Sequence, residues 1–223
     1  SGIGAAVLLE KNHADVVLYD SSDKLTKEDL ETRLPEGSKA VCIAGKLPEE
    51  VELSIQAAVL SPGVPTDIPL VNRMRDRGVQ ILGEIELGFL AEQGRVIAIT
   101  GTNGKTTTTT LTGEIMKAHF GAEKTFVVGN IGNPYTLEVT KTSKDSVTVG
   151  EISSFQLETI HTFHPVVSAI LNITPDHLNR HHTMEAYVAA KEAVVSHQTK
   201  GDICVLNYDN DYTRDFAGRC PAT

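Results

Sequence analysis

Short apolar runs alternate along the chain with segments in which apolar residues recur at helical spacing. The runs predict strands, and the periodic segments predict helices. Predicted strands occupy 16–19, 40–44, 57–60, 79–82, 96–100, 125–128, 146–150, 166–172 and 202–206. Predicted helices occupy 3–12, 26–33, 68–77, 84–92, 105–119, 154–161 and 184–199. This alternation is typical of an α/β fold with a mostly parallel sheet.

One domain boundary is predicted where the helical pattern ends at Ala91 and a new apolar run starts after Gly94. Residues 1–92 then form a Rossmann-like domain, and residues 93–223 form a second α/β domain. A βαβ unit begins with a strand, whereas this chain begins with a helical pattern. We therefore expect both domains to be incomplete, as in a piece of a longer protein.

The composition narrows the possible partners. A net charge of -9 argues against a surface that binds nucleic acid, which needs clustered Lys and Arg. No apolar run approaches the ~20 residues of a membrane span. The three cysteines, Cys42, Cys204 and Cys220, lack C-x-x-C spacing, and we expect reduced thiols in a cytoplasmic protein.

The clearest functional motif in the sequence is residues 98–107, Ala-Ile-Thr-Gly-Thr-Asn-Gly-Lys-Thr-Thr. An apolar run leads into a glycine-rich turn, and Lys105 and Thr106 open the next helix, as in a phosphate-binding P-loop. Lys105 would contact the β/γ-phosphates, and the Thr106 hydroxyl would bind Mg²⁺. Ile99 stands where the strict consensus has glycine. The alternative is an ordinary glycine-rich turn, but the lysine and hydroxyl in register favour the P-loop.

A carboxylate follows a second strand of the same predicted sheet. Glu151 comes directly after the strand 146–150, at the sheet edge where the P-loop would lie. Mg²⁺ prefers oxygen ligands, with one or two carboxylates beside substrate phosphates. The sequence predicts a magnesium ligand here, and a solvated glutamate is the alternative.

Polar residues crowd after the strand 166–172, in the run Asn172 to His182. This is again the carboxyl edge of the sheet, where open α/β sheets bind ligands. His181 and His182 could still be ordinary exposed loop residues.

The predicted helix 184–199 carries a lysine, Lys191, among the apolar residues that form a stripe along one face. Lys191 shares the stripe with five apolar residues, Met184, Tyr187, Val188, Val194 and Val195. It either snorkels to water or lies inward near a metal site, chemically altered or stabilising charge.

Two weaker signals lie in the first domain. Asp20 and Ser21 follow the strand 16–19, where an acid can bind a nucleotide. Ser61-Pro62-Gly63 follows the strand 57–60 and could offer backbone N–H groups to a phosphate. Ordinary turns use the same residue types.

Several motifs resemble those of the Mur ligase family. They are Thr100–Thr107, Gly129-Asn130-Ile131-Gly132, Glu151–Glu158 and Asp176–His181. Within the family, the Ser-Ser-Phe-Gln run is most similar to the branch that adds D-glutamate to UDP-N-acetylmuramoyl-L-alanine. The resemblance covers essentially the whole chain. One departure is Asn179, where family members often have aspartate.

The resemblance implies an ATP-dependent ligase of peptidoglycan precursor synthesis that works through an acyl phosphate. It implies a UDP-sugar domain in 1–92, a central ATP domain in 93–223 and an amino-acid domain that this chain lacks. The implied partners are UDP-N-acetylmuramoyl-L-alanine, D-glutamate and ATP, and we expect a monomer.

The resemblance also implies roles for individual residues. ATP would meet Gly101, Thr102, Asn103, Gly104, Lys105, Thr106 and Thr107. One Mg²⁺ would bind Thr106 and Glu151, and a second would bind His177 and a carbamylated Lys191. Substrate contacts would come from Asp20 and Ser21 at the uracil, Gly63 at the pyrophosphate, and Asn130, Ser153 and Gln156 along the channel. The catalytic set is Lys105, Glu151, His177 and Lys191.

Three alternatives remain open: a non-catalytic fragment that binds ATP or UDP-sugar, a different Mur ligase, and another P-loop enzyme such as a kinase. The run from Glu151 to Gln156 and the Lys191 stripe argue against a kinase.

Overall fold

The computed structural model describes residues 1–223. Its strands are β1 Val17–Asp20, β2 Val41–Ala44, β3 Ala57–Leu60, β4 Gln80–Gly83, β5 Arg95–Thr100, β6 Thr125–Gly129, β7 Val147–Glu151, β8 Val167–Ile170 and β9 Ile203–Leu206. Its helices are α1 Gly2–Lys11, α2 Lys27–Glu31, α3 Glu49–Ser54, α4 Pro69–Asp76, α5 Glu84–Ala91, α6 Lys105–Phe120, α7 Tyr135–Glu138, α8 Ser154–Leu157, α9 Leu178–His181, α10 Met184–Glu192 and α11 Asp211–Ala217. Short 3₁₀ turns cover Ala122–Lys124, Val139–Lys141 and Ala193–Val195.

Every predicted strand is present, and the α/β prediction is confirmed. The predicted helix 154–161 was too long, because α8 ends at Leu157. Beyond it, the backbone N–H groups of residues 161–163 donate to the Glu86 carboxylate instead of to helix carbonyls.

Sequence periodicity missed four short helices: α3, α7, α9 and α11. The longest of these is α11, with 7 residues. Asn210 caps it by accepting from the Thr213 N–H, and Thr213 and Phe216 are buried. Elements this short carry too few turns for a period to show.

The sheets are entirely parallel. Residues 93–223 build one five-stranded sheet in the order β6-β7-β5-β8-β9. The first 92 residues build two separate pairs, β1–β2 and β3–β4. In a parallel sheet all carboxyl ends meet at one edge, so the segments after β5, β7 and β8 become neighbours.

The two halves share a hydrophobic core. A single cluster of buried side chains includes Ala5, Leu8 and Ile85 from the first half with Val96 and Val128 from the second. Helices α1 and α5 both pack against α7. The predicted boundary at 92/93 therefore falls beside a packed interface and stays a prediction. None of the helices is both long enough and apolar enough to cross a membrane.

Candidate functional site

The loop between β5 and α6 has the backbone geometry of an anion cradle. Gly101 and Gly104 both adopt positive φ, 147° and 81°. A Cβ on Gly101 would lie 3.1 Å from Leu171 Cβ and 3.3 Å from the backbone N of Asn172. Glycine is therefore required at both positions, and the turn aims the start of α6 at the sheet edge.

The segment after β8 braces this loop. The Asn172 carbonyl accepts from the Thr102 N–H at 2.8 Å, and its side-chain Oδ1 accepts from the Asn103 N–H at 2.9 Å. The Thr102 hydroxyl donates to the Thr174 carbonyl at 3.2 Å and contacts the Tyr187 hydroxyl at 3.1 Å. Sequence reasoning gave Asn172, Thr174 and Tyr187 no such role. The signal for Asn172 and Thr174 was the polar run directly after a buried strand, and no local signal pointed to Tyr187.

Lys105 turns back over the loop that it follows. Its Nζ donates to the carbonyls of Gly101 and Thr102, at 3.0 and 2.9 Å. Thr106 and Thr107 are exposed in the first turn of α6. The lysine ammonium, the two hydroxyls and the unpaired N–H groups of a helix start lie together, as anion binding requires.

Glu151 is placed beside the P-loop by strand register, since it pairs with Ile99 of β5. Its side chain is 1% exposed. Oε1 accepts from Asn130 Nδ2 at 2.8 Å, whereas Oε2 is buried without any partner. A buried oxygen of this kind is costly unless a cation or water meets it. A single buried carboxylate at the sheet edge where α6 begins fits a hydrated Mg²⁺, which takes oxygen ligands.

The other predicted channel residues flank Glu151. Gly129 adopts φ of 96°, and a Cβ there would lie 2.3 Å from the Glu151 carbonyl, so the turn into Asn130 needs glycine. Ser153 and Gln156 form the capping box of α8 with each other. Ser153 is part-buried and Gln156 is buried.

Lys191 points inward from α10. It is 2% exposed, and its Nζ donates to the Gly101 carbonyl at 2.7 Å. The Nζ also lies 4.6 Å from the centre of the Tyr187 ring. Burial, with a smaller contribution from the Lys105 charge, lowers the pKa of Lys191 to about 7. The snorkelling alternative is wrong for this side chain.

His177 lies at the start of α9 with φ of 53°, and its side chain is 49% exposed. Its backbone N–H donates to Asp176 Oδ1, and its ring lies 4.9 Å from the Phe155 ring. The alternative of an exposed loop residue is wrong for His181 and right for His182. His181 is buried, and its Nε2 lies 2.9 Å from the Ser154 hydroxyl.

The candidate residues of the first half lie at strand ends, as predicted. Asp20 ends β1, and its Oδ1 accepts from the Ser22 N–H at 2.9 Å. Ser21 is exposed. Gly63 is exposed in a turn closed by the Val64 N–H and the Ser61 carbonyl.

The structure thus gathers Lys105, Thr106, Glu151 and Lys191 around one sheet edge. Asp20 ends a strand of a different sheet, and Ser21 follows it. No group of three or more His, Cys, Asp or Glu side chains forms a metal cage. A cation here would depend on one buried carboxylate together with ligands from substrate or water.

Comparison with known families and curated proteins gives a consistent result. The "Mur ligase middle domain" family matches residues 99–222. UDP-N-acetylmuramoylalanine–D-glutamate ligase from Lachnospira eligens is 57% identical over 222 residues, covering 100% of this chain and 49% of that protein. The enzyme of the same name from Lachnoclostridium phytofermentans is 54% identical, again over 100% of this chain and 49% of that protein. The chain spans about half the length of the curated relatives it matches.

Solved structures of two Mur ligases have the same fold as this chain. UDP-N-acetylmuramate:L-alanyl-γ-D-glutamyl-meso-diaminopimelate ligase from Neisseria meningitides matches with a TM-score of 0.61 and 14% identity, over 98% of this chain and 72% of that one. UDP-N-acetylmuramate-alanine ligase from Thermotoga maritima matches with a TM-score of 0.55 and 21% identity, over 96% of this chain and 48% of that one. At these identities the likeness establishes the fold alone. With over half of the chain inside the middle-domain match and a P-loop, a buried Glu151 and an inward Lys191 at one sheet edge, the chain belongs to the Mur ligase family.

Proposed function

We propose that this chain is part of an ATP-dependent ligase that joins D-glutamate to UDP-N-acetylmuramoyl-L-alanine in peptidoglycan precursor synthesis. The reaction would pass through an acyl phosphate, which the amine of D-glutamate then attacks. The names of the two relatives above 50% identity support this choice within the family. The chain's own contribution would be to bind ATP and the UDP-sugar and to hold their reacting ends together.

The P-loop would hold the ATP phosphates. Its residues are Gly101, Thr102, Asn103, Gly104, Lys105, Thr106 and Thr107. Lys105 can leave the two carbonyls that it now contacts and offer its charge to a phosphate instead. Glu151 and Thr106 would hold Mg²⁺, which when bound neutralises charge between phosphate oxygens and the substrate carboxylate. The unpartnered Oε2 of Glu151 is the observation that carries this assignment.

Lys191 and His177 would hold a second cation. The depressed pKa of Lys191, about 7, makes its neutral amine accessible near neutral pH. A neutral amine can add to CO₂ and lose a proton to give a carbamate, which turns a buried cation into an anionic oxygen ligand. This change would relieve the repulsion between Lys191 and Lys105 and match the oxygen preference of Mg²⁺.

The first half would bind the UDP-sugar. Asp20 and Ser21 would meet the uracil, and the exposed turn at Gly63 would meet the pyrophosphate. Asn130, Ser153 and Gln156 would line the path to the P-loop.

All three cysteines are free, which supports the proposal of a cytoplasmic protein. The division at 92/93 into UDP-sugar and ATP domains is part of the same proposal.

Calorimetry on this chain tests the nucleotide site directly. We expect Mg²⁺-dependent ADP binding that weakens on the order of 10- to 100-fold in Lys105→Ala, because a phosphate loses a charge-assisted bond. Glu151→Gln should remove the Mg²⁺ dependence while weak metal-free binding persists. Glu123→Gln changes an exposed glutamate in the same way and serves as the control.

A protein of the relatives' full length that carries this chain tests the reaction. Phosphate release should require UDP-N-acetylmuramoyl-L-alanine and D-glutamate together. Equal turnover with L-alanine or diaminopimelate in place of D-glutamate would overturn the proposed substrate.

A further inference from the structure

We propose that Arg180 and Glu158 are positioning residues that fix the loop 61–66 of the first half against the loop that carries His177. The inference rests on the proposed function, in which loop 61–66 meets the UDP-sugar and the segment after β8 faces ATP. Neither residue belongs to the sets assigned above to phosphate, metal or substrate.

The contacts join three segments at one guanidinium. Arg180 Nη2 donates to Glu158 Oε2 at 2.7 Å and to the Val64 carbonyl at 3.2 Å. The same Glu158 oxygen lies 3.5 Å from the Thr66 hydroxyl. One arginine from α9 and one glutamate after α8 therefore both reach the loop 61–66.

This ion pair is largely withdrawn from water. The Arg180 side chain is 15% exposed and the Glu158 side chain 17%. The other Glu158 oxygen lies 3.4 Å from His181 Nδ1. An ion pair held this far from solvent resists salt screening, and a fork-shaped guanidinium orients its partners better than an ammonium. Such a pair specifies geometry more than it adds stability.

Arg180 packs against the ring of Phe155, which in turn packs against two histidines. The guanidinium carbon lies 5.1 Å from the centre of that ring. The His177 and His181 rings lie 4.9 and 5.4 Å from it. A shift of Arg180 would therefore move the ring that packs against His177, and with it the proposed second metal ligand.

The fold has other ties between its halves, so this pair is not needed to hold them together. Glu86 accepts four hydrogen bonds from residues 161–163, and Glu84 accepts two from Thr136. The Arg180 tie is distinct because it acts on the loop 61–66. That loop and the segment from α8 to Thr159 line a small pocket between the halves; the lining includes Ser61, Val64, Thr66, Phe155, Gln156 and Thr159.

Steady-state kinetics on a protein of the relatives' full length that carries this chain tests the inference. Its unaltered form must first release phosphate in the presence of UDP-N-acetylmuramoyl-L-alanine and D-glutamate; if it does not, the proposed function fails and not the positioning role. Arg180→Ala should then raise KM for the UDP-sugar and lower kcat, each on the order of 10-fold or more. Small misplacements of reacting groups lower the reaction rate by large factors. KM for ATP should stay within a factor of about three, because the P-loop keeps its own contacts.

Two further readouts separate positioning from a loss of folding. Millimolar guanidinium ion should restore part of the kcat of Arg180→Ala by filling the vacated place, and Arg180→Lys should fold and show the same KM pattern in a milder form. Arg73→Ala breaks a more exposed Arg–Glu pair, with Glu52 inside the first half, and should leave both constants unchanged. Unaltered KM and kcat in Arg180→Ala and Arg180→Lys, or equal rises in KM for both substrates, would overturn the positioning role.

Discussion

The Lys191 ammonium lies almost wholly out of water, held by one carbonyl of the P-loop and packed over the Tyr187 ring. Its burial and the nearby Lys105 lower its pKa from 10.5 to about 7. The folded chain is therefore less stable when Lys191 is charged than when Lys191 is neutral. A buried lysine with a strongly lowered pKa is a candidate for a chemical role, which agrees with the proposed metal-ligand role.

Lys191→Met removes the free-energy cost of burying the charged amine, so its stability relative to the unaltered chain should depend on pH. Below pH 7 the lysine is charged in both folded and unfolded states, and the folded state carries the full penalty. Between pH 7 and 10.5 only the unfolded state stays charged, so the stability of the unaltered chain rises with pH. We expect the variant to be more stable at pH 6 by about 2 kcal/mol, with the difference shrinking as pH rises.

Urea unfolding between pH 6 and 9.5 in CO₂-free buffer measures this difference. Lys144→Met replaces an exposed lysine and should show no such trend. A pH-independent difference for Lys191→Met would mean that the ammonium is not destabilised in the fold.

Lys191→Ala tests the carbamate itself. In a protein of the relatives' full length, the proposal expects this variant to lose ligase activity because one oxygen ligand is gone. Acetate or propionate should recover part of the activity by placing a carboxylate in the vacated space. Turnover equal to that of the unaltered protein would rule out a ligand role for Lys191.

At the scale of elements, α5 ties the halves together through buried carboxylates. Glu86 lies in its first turn and accepts from the backbone N–H groups of His161, Thr162 and Phe163, at 2.9, 2.8 and 3.1 Å. The Thr162 hydroxyl adds a fourth bond at 2.6 Å. These bonds satisfy the polar backbone that follows α8 and fix where that helix ends.

Glu86→Gln should therefore destabilise the fold. An amide group would turn one acceptor into a donor that faces N–H groups, so we expect a loss of about 2–4 kcal/mol in the free energy of unfolding. Glu28→Gln, on the exposed side of α2, should change it by less than about 0.5 kcal/mol. Denaturant unfolding of both variants decides the point, and a Glu86→Gln chain as stable as the control would contradict it.

The packing of α6 on the sheet gives a second prediction. A Cβ on Gly113 would lie 2.5 Å from Val127 Cγ2 of β6. Gly113→Ala should destabilise by about 1–3 kcal/mol through overpacking, although alanine is intrinsically the better helix former by about 1 kcal/mol. Thr110→Ala, at an exposed position of the same helix, should be neutral or stabilising.

Thermal unfolding of Gly113→Ala with and without Val127→Ala locates the strain. If the clash is the cause, the second change should recover part of the lost stability. Stabilisation by Gly113→Ala alone would show that helix propensity outweighs packing at this position.

At the scale of the whole molecule, the two proposed binding regions lie on different sheets. Strand β1 packs through Tyr19 against a cluster within the first half, whereas α1, α5 and the five-stranded sheet share a larger cluster across the halves. The P-loop follows β5 of the five-stranded sheet, whereas Asp20 ends a strand of the β1–β2 pair. A local change at one site should therefore leave the other intact. The larger cluster packs the two halves against each other. The Arg180–Glu158 pair would adjust the loop 61–66 beside the small pocket between the halves.

Lys105→Ala tests this independence in a protein of the relatives' full length. ATP-dependent turnover should vanish, because the phosphates lose their lysine, while calorimetry should find UDP-sugar affinity within a factor of about three of the unaltered value. Circular dichroism should confirm a folded variant. Loss of UDP-sugar binding in that folded variant would mean that the division at 92/93 is wrong.

The sequence by itself determined the strands, the α/β class, the P-loop and the place of Lys191 on the apolar stripe of its helix, while the direction of the Lys191 amine stayed open until the structure showed it buried. Each of these depends on local spacing: apolar runs, glycines at fixed offsets, and a helical stripe whose phase places a side chain on the buried face. The Mur ligase resemblance was likewise carried by short contiguous motifs. Such features are readable because neighbours in the chain decide them.

The tertiary structure alone decided which distant groups meet. Arg180 reaches Glu158 across 22 residues and Val64 across 116. The bracing of the P-loop by Asn172, the burial of His181 and the unpartnered oxygen of Glu151 depend in the same way on strand order and packing. No local period encodes these contacts, because they arise only when the parallel strands bring their carboxyl ends to one edge and the halves close over a common core.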